Sequence, residues 1–232
     1  MILFTTYLWG DKYPEEHVRR LFAGVKRNIS ACRFALITDA PRGNLQGLEQ
    51  VEMPSCDLDL TEEKGCFARL RLFDPDFQRR LSLNPGGKVV NLDLDMVITG
   101  RLDWLEDRTE PFSILQNINT TNPCPYNGSV WMLQAGYRPD VWSDFSIKNY
   151  HDLGVPYHAF PDDQGWFEHK LPNAGAFGPD CGVYGFKKRG WAPKAANDAD
   201  TLPANACIIA FPGWRDPSKF EHLPWVKDNW RI

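Results

Sequence analysis

Two hydrophobic rhythms succeed each other along the first hundred residues. Residues 2–8, ILFTTYL, are an apolar run of strand length, the pattern of a strand covered on both faces. In residues 14–29, PEEHVRRLFAGVKRNI, the rhythm lengthens, and Val18, Leu21, Phe22, Val25 and Ile29 fall on one face at helical spacing. The ends of this segment also suit a helix. Pro14 stands in the first turn, Glu15 and Glu16 at the positive end of the dipole, and Lys26 and Arg27 at the negative end. Residues 33–40, RFALITDA, return to the strand rhythm and stop at Asp39 and Pro41. Strand, helix, strand opens a βαβ unit and predicts a parallel sheet flanked by helices.

Residues 50–54, QVEMP, predict a short third strand, and residues 66–81, CFARLRLFDPDFQRRL, a helix broken near Pro75. An NPGG turn then leads into KVVNLDLDMV, residues 88–97, whose apolar continuity predicts one central strand buried on both faces. After Gly100 the rhythm fades: apolar runs such as SVWMLQA and CIIAF are short, and eight of the nine tryptophans lie there. The expectation is one α/β domain over residues 1–232, with a regular sheet half (1–100) and a loop-rich half (101–232).

Composition narrows the classes of function. A chain of 232 residues, 43% hydrophobic, is long enough for one sizeable core. A net charge of −4, with Lys and Arg scattered in ones and twos, offers no basic stripe and argues against a nucleic-acid partner. The opening residues lack the charged leader and small-residue cleavage site of a signal peptide, and no apolar segment has the length of a membrane span. A cytoplasmic location is expected; peripheral membrane contact stays open for an enzyme of lipid-linked or surface-polymer precursors. The six cysteines show no CxxC pair and no zinc spacing, so reduced, structural thiols are expected.

The tripeptide Asp-Leu-Asp occurs twice. Residues 57–59 follow Pro-Ser-Cys and precede Thr-Glu-Glu-Lys, a polar setting that predicts solvated carboxylates at an ordinary helix start. Residues 93–95 end the predicted central strand, where carboxylates at i and i+2 share one side and repel each other. A cation relieves that repulsion. Open α/β sheets bind ligands beyond the carboxyl ends of their strands, which places Asp93 and Asp95 where a divalent ion and a phosphorylated ligand would sit. Oxygen-only ligands favour Mg²⁺ or Mn²⁺. A turn with exposed aspartates is the structural alternative.

KVVNLDLDMVITGRLDWL resembles the metal-binding strand of GT-A nucleotide-sugar glycosyltransferases, in particular glycosyltransferase family 8 and its bacterial relatives. ILFTTYLWGDKYPEEHVRRLFAGVKRN and RFALITDA are similar to that group's opening strand, helix and second strand. GCFARLRLF resembles the segment with a basic residue ahead of the DxD, Asn127-Gly128-Ser129-Val130-Trp131-Met132 the acceptor-side strand, and Asp163-Gln164 the Asp-Gln pair. The resemblance implies an α/β, GT-A type, Rossmann-like nucleotide-binding sheet with a loop-rich acceptor half. It implies transfer of a sugar from a nucleotide-diphosphate donor, a UDP-sugar being favoured, to a saccharide or other hydroxyl acceptor in bacterial glycan synthesis, with retention of configuration.

The same resemblance implies roles for residues. Asp95 would bind Mn²⁺ or Mg²⁺ directly, with Asp93 sharing the metal or binding the donor ribose and Leu94 between them in the donor site. Thr5, Thr6, Tyr7 and Asp39 would face the donor base and ribose, and Arg69, or alternatively Arg71, the diphosphate. Asn127, Gly128 and Ser129 would border the sugar, and Asp163 and Gln164 would be the catalytic pair facing the transferred sugar or the acceptor. Backbone packing, a helix-surface arginine, a plain turn and a helix N-cap are the structural alternatives for Thr5, Thr6 and Tyr7, for Arg69, for residues 127–129 and for Asp162-Asp163. Sugar stacking by the late tryptophans stands against core packing in the same way.

One departure is evident. The family's third metal ligand is a histidine near a late glycine, and IIAFPGWRDPSKF has none, with Ala210, Phe211, Pro212 and Gly213 in its place. His222 or a substrate oxygen is left to fill the position. Two rivals follow: a non-catalytic nucleotide-sugar binder, and a haloacid-dehalogenase-like phosphatase, whose Asp-x-Asp-x-Val matches residues 93–97 but normally lies near the chain start.

Overall fold

A computed structural model describes residues 1–45, 47–63, 66–116, 124–153, 162–187, 190–192 and 201–232. The expected opening is present: β1 (Ile2–Leu8), α1 (Glu15–Asn28), β2 (Cys32–Thr38) and β3 (Glu49–Glu52). A short α2 (Leu58–Glu62), a 3₁₀ segment (Phe67–Phe73) and α3 (Pro75–Arg80) precede β4 (Lys88–Leu92) and β5 (Met96–Ile98). Beyond these come β6 (Phe112–Gln116), β7 (Tyr126–Gln134), α4 (Asp140–Ser143), α5 (Ile147–Asp152), α6 (Asp163–Lys170), β8 (Gly175–Phe177), β9 (Val183–Lys187), β10 (Gly190–Ala192), β11 (Ile208–Ala210) and α7 (Pro224–Asn229).

The main sheet has seven strands in the order β3-β2-β1-β4-β7-β6-β8, and a smaller sheet has four in the order β10-β9-β11-β5. Strands β3, β2, β1 and β4 are parallel, while β7 runs antiparallel to both β4 and β6. Alternation along each strand feeds two cores. Ile2, Phe4 and Leu8 of β1, with Val130 and Met132 of β7, enter the core shared with α1 and β5. Leu3 and Tyr7, with Trp131 and Leu133, enter the core on the other side with the 3₁₀ segment and α6. The aromatic and aliphatic residues Val97, Phe186, Ile209, Phe211, Trp225 and Val226 join the small sheet to α7.

Three expectations change. The apolar run at residues 88–97 is two strands in two sheets, not one, and residues 93–95 form the crossing between them. The first half of residues 66–81 is 3₁₀ rather than α-helical. Residues 101–232 are more than loops: β7 is the longest strand and lies inside the main sheet. An apolar run shows that a segment is covered, but not which sheet covers it, and for that reason hydrophobicity alone missed both points.

Helix α1 packs closely on the small sheet. A Cβ at Gly24 would lie 3.3 Å from Ile98 Cβ, so glycine lets the helix approach β5. No described helix is long and apolar enough to cross a membrane. All six cysteines are free, in agreement with the sequence.

Candidate active site

The crossing from β4 to β5 is pinned from both sheets. The Asp93 amide donates to the Ser129 carbonyl of β7 at 2.9 Å, and the Phe211 amide, just past β11, donates to the Asp95 carbonyl at 3.0 Å. Between these anchors the two carboxylates and Leu94 line a cavity of about 120 Å³, together with Tyr7, Trp9, Lys12, Tyr13, Cys66 and Arg69. The cavity lies at the carboxyl ends of β1 and β4, where parallel sheets place their ligands.

Arg69 is the hub of the polar groups. It is only 4% exposed, yet its guanidinium donates to Asp93 Oδ1, to the Gly128 carbonyl at 3.0 Å and to Asp163 Oδ1 at 2.9 Å. Burial alone would favour loss of its proton, but the carboxylates of Asp163 and Asp93 outweigh this and hold its pKa above the usual arginine range. Gly128 makes the arrangement sterically possible. A Cβ there would stand 2.7 Å from Asp163 Oδ1 and 2.8 Å from Arg69 Nη2.

The carboxylates are under electrostatic tension. Burial pushes the Asp95 carboxyl up to about 7, with the negative charge of Asp93 adding to it, and Asp93 is raised by burial despite Arg69. Asp163 is pushed up to about 8 and Asp162 to about 7, again chiefly by burial. Asp95 Oδ2 accepts from the Tyr13 hydroxyl at 2.9 Å, and burial and the nearby Asp95 raise the Tyr13 phenol far above its ordinary value. Tyr13 therefore remains a donor to Asp95.

Most of the expected residues converge, and some do not. Tyr7, Arg69, Asp93, Leu94 and Asp95 share the cavity. Gly128 and Asp163 meet Arg69 from behind it, and Ser129 fixes the Asp93 backbone. Thr5 and Thr6 are a correction. Both are fully buried and outside the cavity lining, their hydroxyls donating to Asn91 Oδ1 at 3.2 Å and to the Leu92 carbonyl at 2.8 Å, so they brace β1 against β4. Asp39 is outside the cavity lining, its carboxylate accepting from the Gly10 amide at 2.9 Å and paired with Arg42 at 2.5 Å. The Asn127 side chain turns inward to accept from the Ser129 amide at 3.1 Å.

Arg71 lies outside the cavity lining, its guanidinium engaged by Asp57 and Asp74. Asp163 and Gln164 open α6, but the N-cap is Asp162, which accepts from the Gln164 amide at 2.8 Å. Asp163 is 1% exposed and faces Arg69, and neither it nor Gln164 lines the cavity. The neighbouring residues 157–161, read with this stretch, lie outside the described ones. His222 is exposed and absent from the cavity wall. Trp131, Trp166, Trp225 and Trp230 are core residues, and Trp214 is exposed; the Trp191 side chain lies outside the described residues.

Sequence reasoning missed Trp9, Lys12, Tyr13 and Cys66. The first three sit between β1 and α1, a connection that parallel sheets use for ligands, so position alone would have singled them out. Cys66 adopts φ +58° at the start of the 3₁₀ segment, and burial lifts its thiol to about 12. No sequence signal marks it.

No protein-family model and no curated protein matches the chain. Solved structures do. An active-site mutant of LgtC superposes with TM-score 0.61 at 12% identity, covering 96% of this chain and 95% of that one. The galactosyltransferase LgtC in complex with donor and acceptor sugar analogs gives TM-score 0.60 at 11% identity, over 99% and 97% of the two chains. The glycosyltransferase GlyE of Streptococcus pneumoniae TIGR4 gives 0.58 at 14% identity, with 93% of this chain covering 56% of that one. With its parallel β3-β2-β1-β4 core extended by β7, β6 and β8, the chain has the GT-A glycosyltransferase fold.

Proposed function

We propose that the protein is a glycosyltransferase that moves a sugar from a nucleoside-diphosphate donor, uridine being favoured, to a hydroxyl of a saccharide acceptor. The observation that carries this reading is the pair Asp93 and Asp95 beside buried Arg69, around one cavity at the carboxyl edge of a GT-A sheet. The galactosyltransferase LgtC, which shares the fold, has been solved with donor and acceptor sugar analogs.

Mn²⁺ or Mg²⁺ at Asp93 and Asp95 belongs to this proposal. The donor set fits such an ion, since Mg²⁺ characteristically takes one or two carboxylates and completes its shell with water and substrate phosphates. Among the described residues, no group of three His, Cys, Asp or Glu could form a metal cage. That suits an ion that shares its ligands with the nucleotide. Burial, with the charge of Asp93 added to it, raises the Asp95 carboxyl, and a bound cation would offset that repulsion. When bound, the ion offsets charge building on the departing nucleoside diphosphate.

The chain's own residues then have definable tasks. Arg69 fixes Asp93 and ties it to Asp163, so Asp163 acts through Arg69 and is a positioning residue. Gly128 leaves the room that this three-way contact needs. Tyr13 orients Asp95 by donating to one of its oxygens. In the transfer, the bond from the anomeric carbon to the diphosphate breaks, the acceptor oxygen bonds to that carbon, and the acceptor's proton passes to the departing diphosphate. Retention of configuration is proposed with this reading.

A second reading, a nucleotide-sugar binder without turnover, is favoured by one observation. The stretch after β11, where the family resemblance implies a histidine ligand, has none, and it meets Asp95 only through the Phe211 amide. One experiment covers both readings: a thermal-shift screen of nucleotide sugars with and without Mn²⁺, followed by measurement of released nucleoside diphosphate. A ligand that binds the native state raises its melting temperature. The transferase reading expects a Mn²⁺-dependent shift with one nucleotide sugar and diphosphate release on adding acceptor, with the product's anomeric NMR signal matching the donor's configuration. A shift without release across a broad acceptor set supports the binder. No shift with any nucleotide or nucleotide sugar would reject both.

A further inference from the structure

The walls of the cavity carry two cations, and they differ in freedom. Arg69 is buried and committed to Asp93, Asp163 and the Gly128 carbonyl. It cannot turn toward a ligand without abandoning buried carboxylates. Lys12 is exposed, and among the described residues no carboxylate forms a salt bridge with it. Its ammonium lies 4.8 Å from the centroid of the Tyr13 ring, the ring whose hydroxyl donates to Asp95. The ammonium is thus stationed above a group tied to the second aspartate.

The segment that follows β11 and bonds the Asp95 backbone brings no cation to the pair among the described residues. β11 ends in Ala210, and Phe211 contributes a backbone amide to Asp95 while its side chain is buried with Phe186 and Trp225. Lys12 lines the same cavity as Asp93 and Asp95. A dianionic ligand entering here meets two carboxylates and one available cation.

We propose that Lys12 is the residue that contacts and neutralises the outer phosphate of a nucleoside diphosphate, and so sets a preference for diphosphates over monophosphates. The inference rests on the nucleotide-donor reading above. It gives Lys12 a task distinct from that of a divalent ion: a flexible ammonium forms charge-assisted hydrogen bonds with phosphate oxygens and can follow the leaving diphosphate out of the site.

Calorimetric titration of UDP and UMP, with GDP and GMP in parallel, into wild type, Lys12→Met and Lys12→Arg tests this at fixed Mg²⁺. Lys12 is exposed, so both variants are expected to melt with the wild type; Lys12→Gln serves as the second neutral variant. The expected result is at least a tenfold loss of diphosphate affinity in both neutral variants, monophosphate affinity unchanged to within about twofold, and recovery in Lys12→Arg to within about threefold. Diphosphate affinity unchanged to within about twofold, or equal losses for diphosphate and monophosphate, would overturn the role of Lys12 while leaving the donor site in place. A wild type that binds none of the four nucleotides would instead overturn the reading beneath it, and the Lys12 proposal with it.

Discussion

The two Asp-Leu-Asp copies have the same three residues and opposite fates. At residues 57–59 the chain is entering a helical turn, where i and i+2 diverge by roughly 200°. Asp57 therefore goes inward, 1% exposed, and is held by Arg71 at Nε–Oδ2 2.7 Å, while Asp59 stays in solvent. Arg71 also bonds Asp74 at 2.9 Å and lies over the Trp142 ring. Asp57 and Arg71 thus form a closed structural pair. At residues 93–95 the chain passes from one sheet to the other, and both carboxylates reach one cavity, where Arg69 bonds Asp93 and Tyr13 bonds Asp95. A motif acquires chemistry from the backbone that carries it: a topological crossing presents two charges together, and a helix start separates them.

Removing the arginines' partners should expose this contrast most strongly. Arg69→Met leaves Asp93 and Asp163 without their counter-ion, and breaking a buried pair typically costs about 3–5 kcal/mol. A loss of that size is expected in urea denaturation, together with loss of nucleotide binding. Asp57→Asn should also cost stability, by about 3 kcal/mol, with UDP affinity unchanged to within about twofold. That expectation replaces the one drawn from the polar flanks of Asp57, which suggested a solvated side chain. Were Asp57→Asn to impair UDP binding as much as Asp95→Asn, the division between structural and functional copies would fail.

Gly128→Ala comes next. Its methyl group would overlap Asp163 and Arg69, and overpacking of this kind usually costs about 1–3 kcal/mol. Turnover should fall further than UDP affinity, since the contact fixes geometry more than it holds nucleotide.

Smaller, but sharper in sign, is the effect of pH. The native Asp95 carboxyl titrates near 7, against 3.8 for the unperturbed group. Between these values the native state holds a proton that the unfolded chain has released. Its contribution to stability is therefore complete below about pH 4 and is lost as pH rises to about 7. Without divalent ions, the wild type should unfold at lower urea at pH 8 than at pH 5, and Asp95→Asn should flatten that slope. Asp162 and Asp163, raised for the same reason, keep some slope in the mutant. The smallest effect belongs to exposed Asp59, whose change to Asn should stay within about 0.5 kcal/mol.

The contrast also shows how much the sequence could tell. The β1-α1-β2-β3 opening was legible because α1 is amphipathic and the strands around it are continuous apolar runs. Asp93 and Asp95 were legible because a pair of carboxylates in an apolar run needs a physical reason, whereas Arg69 was reached through the family resemblance, with Arg71 as the alternative. Two kinds of fact were not legible. Whether Val97 continues the strand of Val90 or joins a second sheet depends on pairing with Ile209, more than a hundred residues away. Whether Thr5 and Thr6 serve a ligand or the interior depends on β4 lying beside them, which supplies Asn91 and the Leu92 carbonyl as partners. Asp57 was misread for a similar reason: its flanks are polar, but Arg71, fourteen residues on, provides the charge that lets it be buried.

The most direct test is a crossed comparison of the two copies. UDP would be titrated with Mn²⁺ into wild type, Asp95→Asn and Asp57→Asn, and the urea unfolding of each protein measured alongside. The account predicts that Asp95→Asn weakens Mn²⁺-dependent UDP binding at least tenfold with no loss of folding stability, while Asp57→Asn destabilises the fold and binds UDP as the wild type does. Equal binding losses in both variants, or Asp95→Asn binding UDP and Mn²⁺ like the wild type, would contradict it.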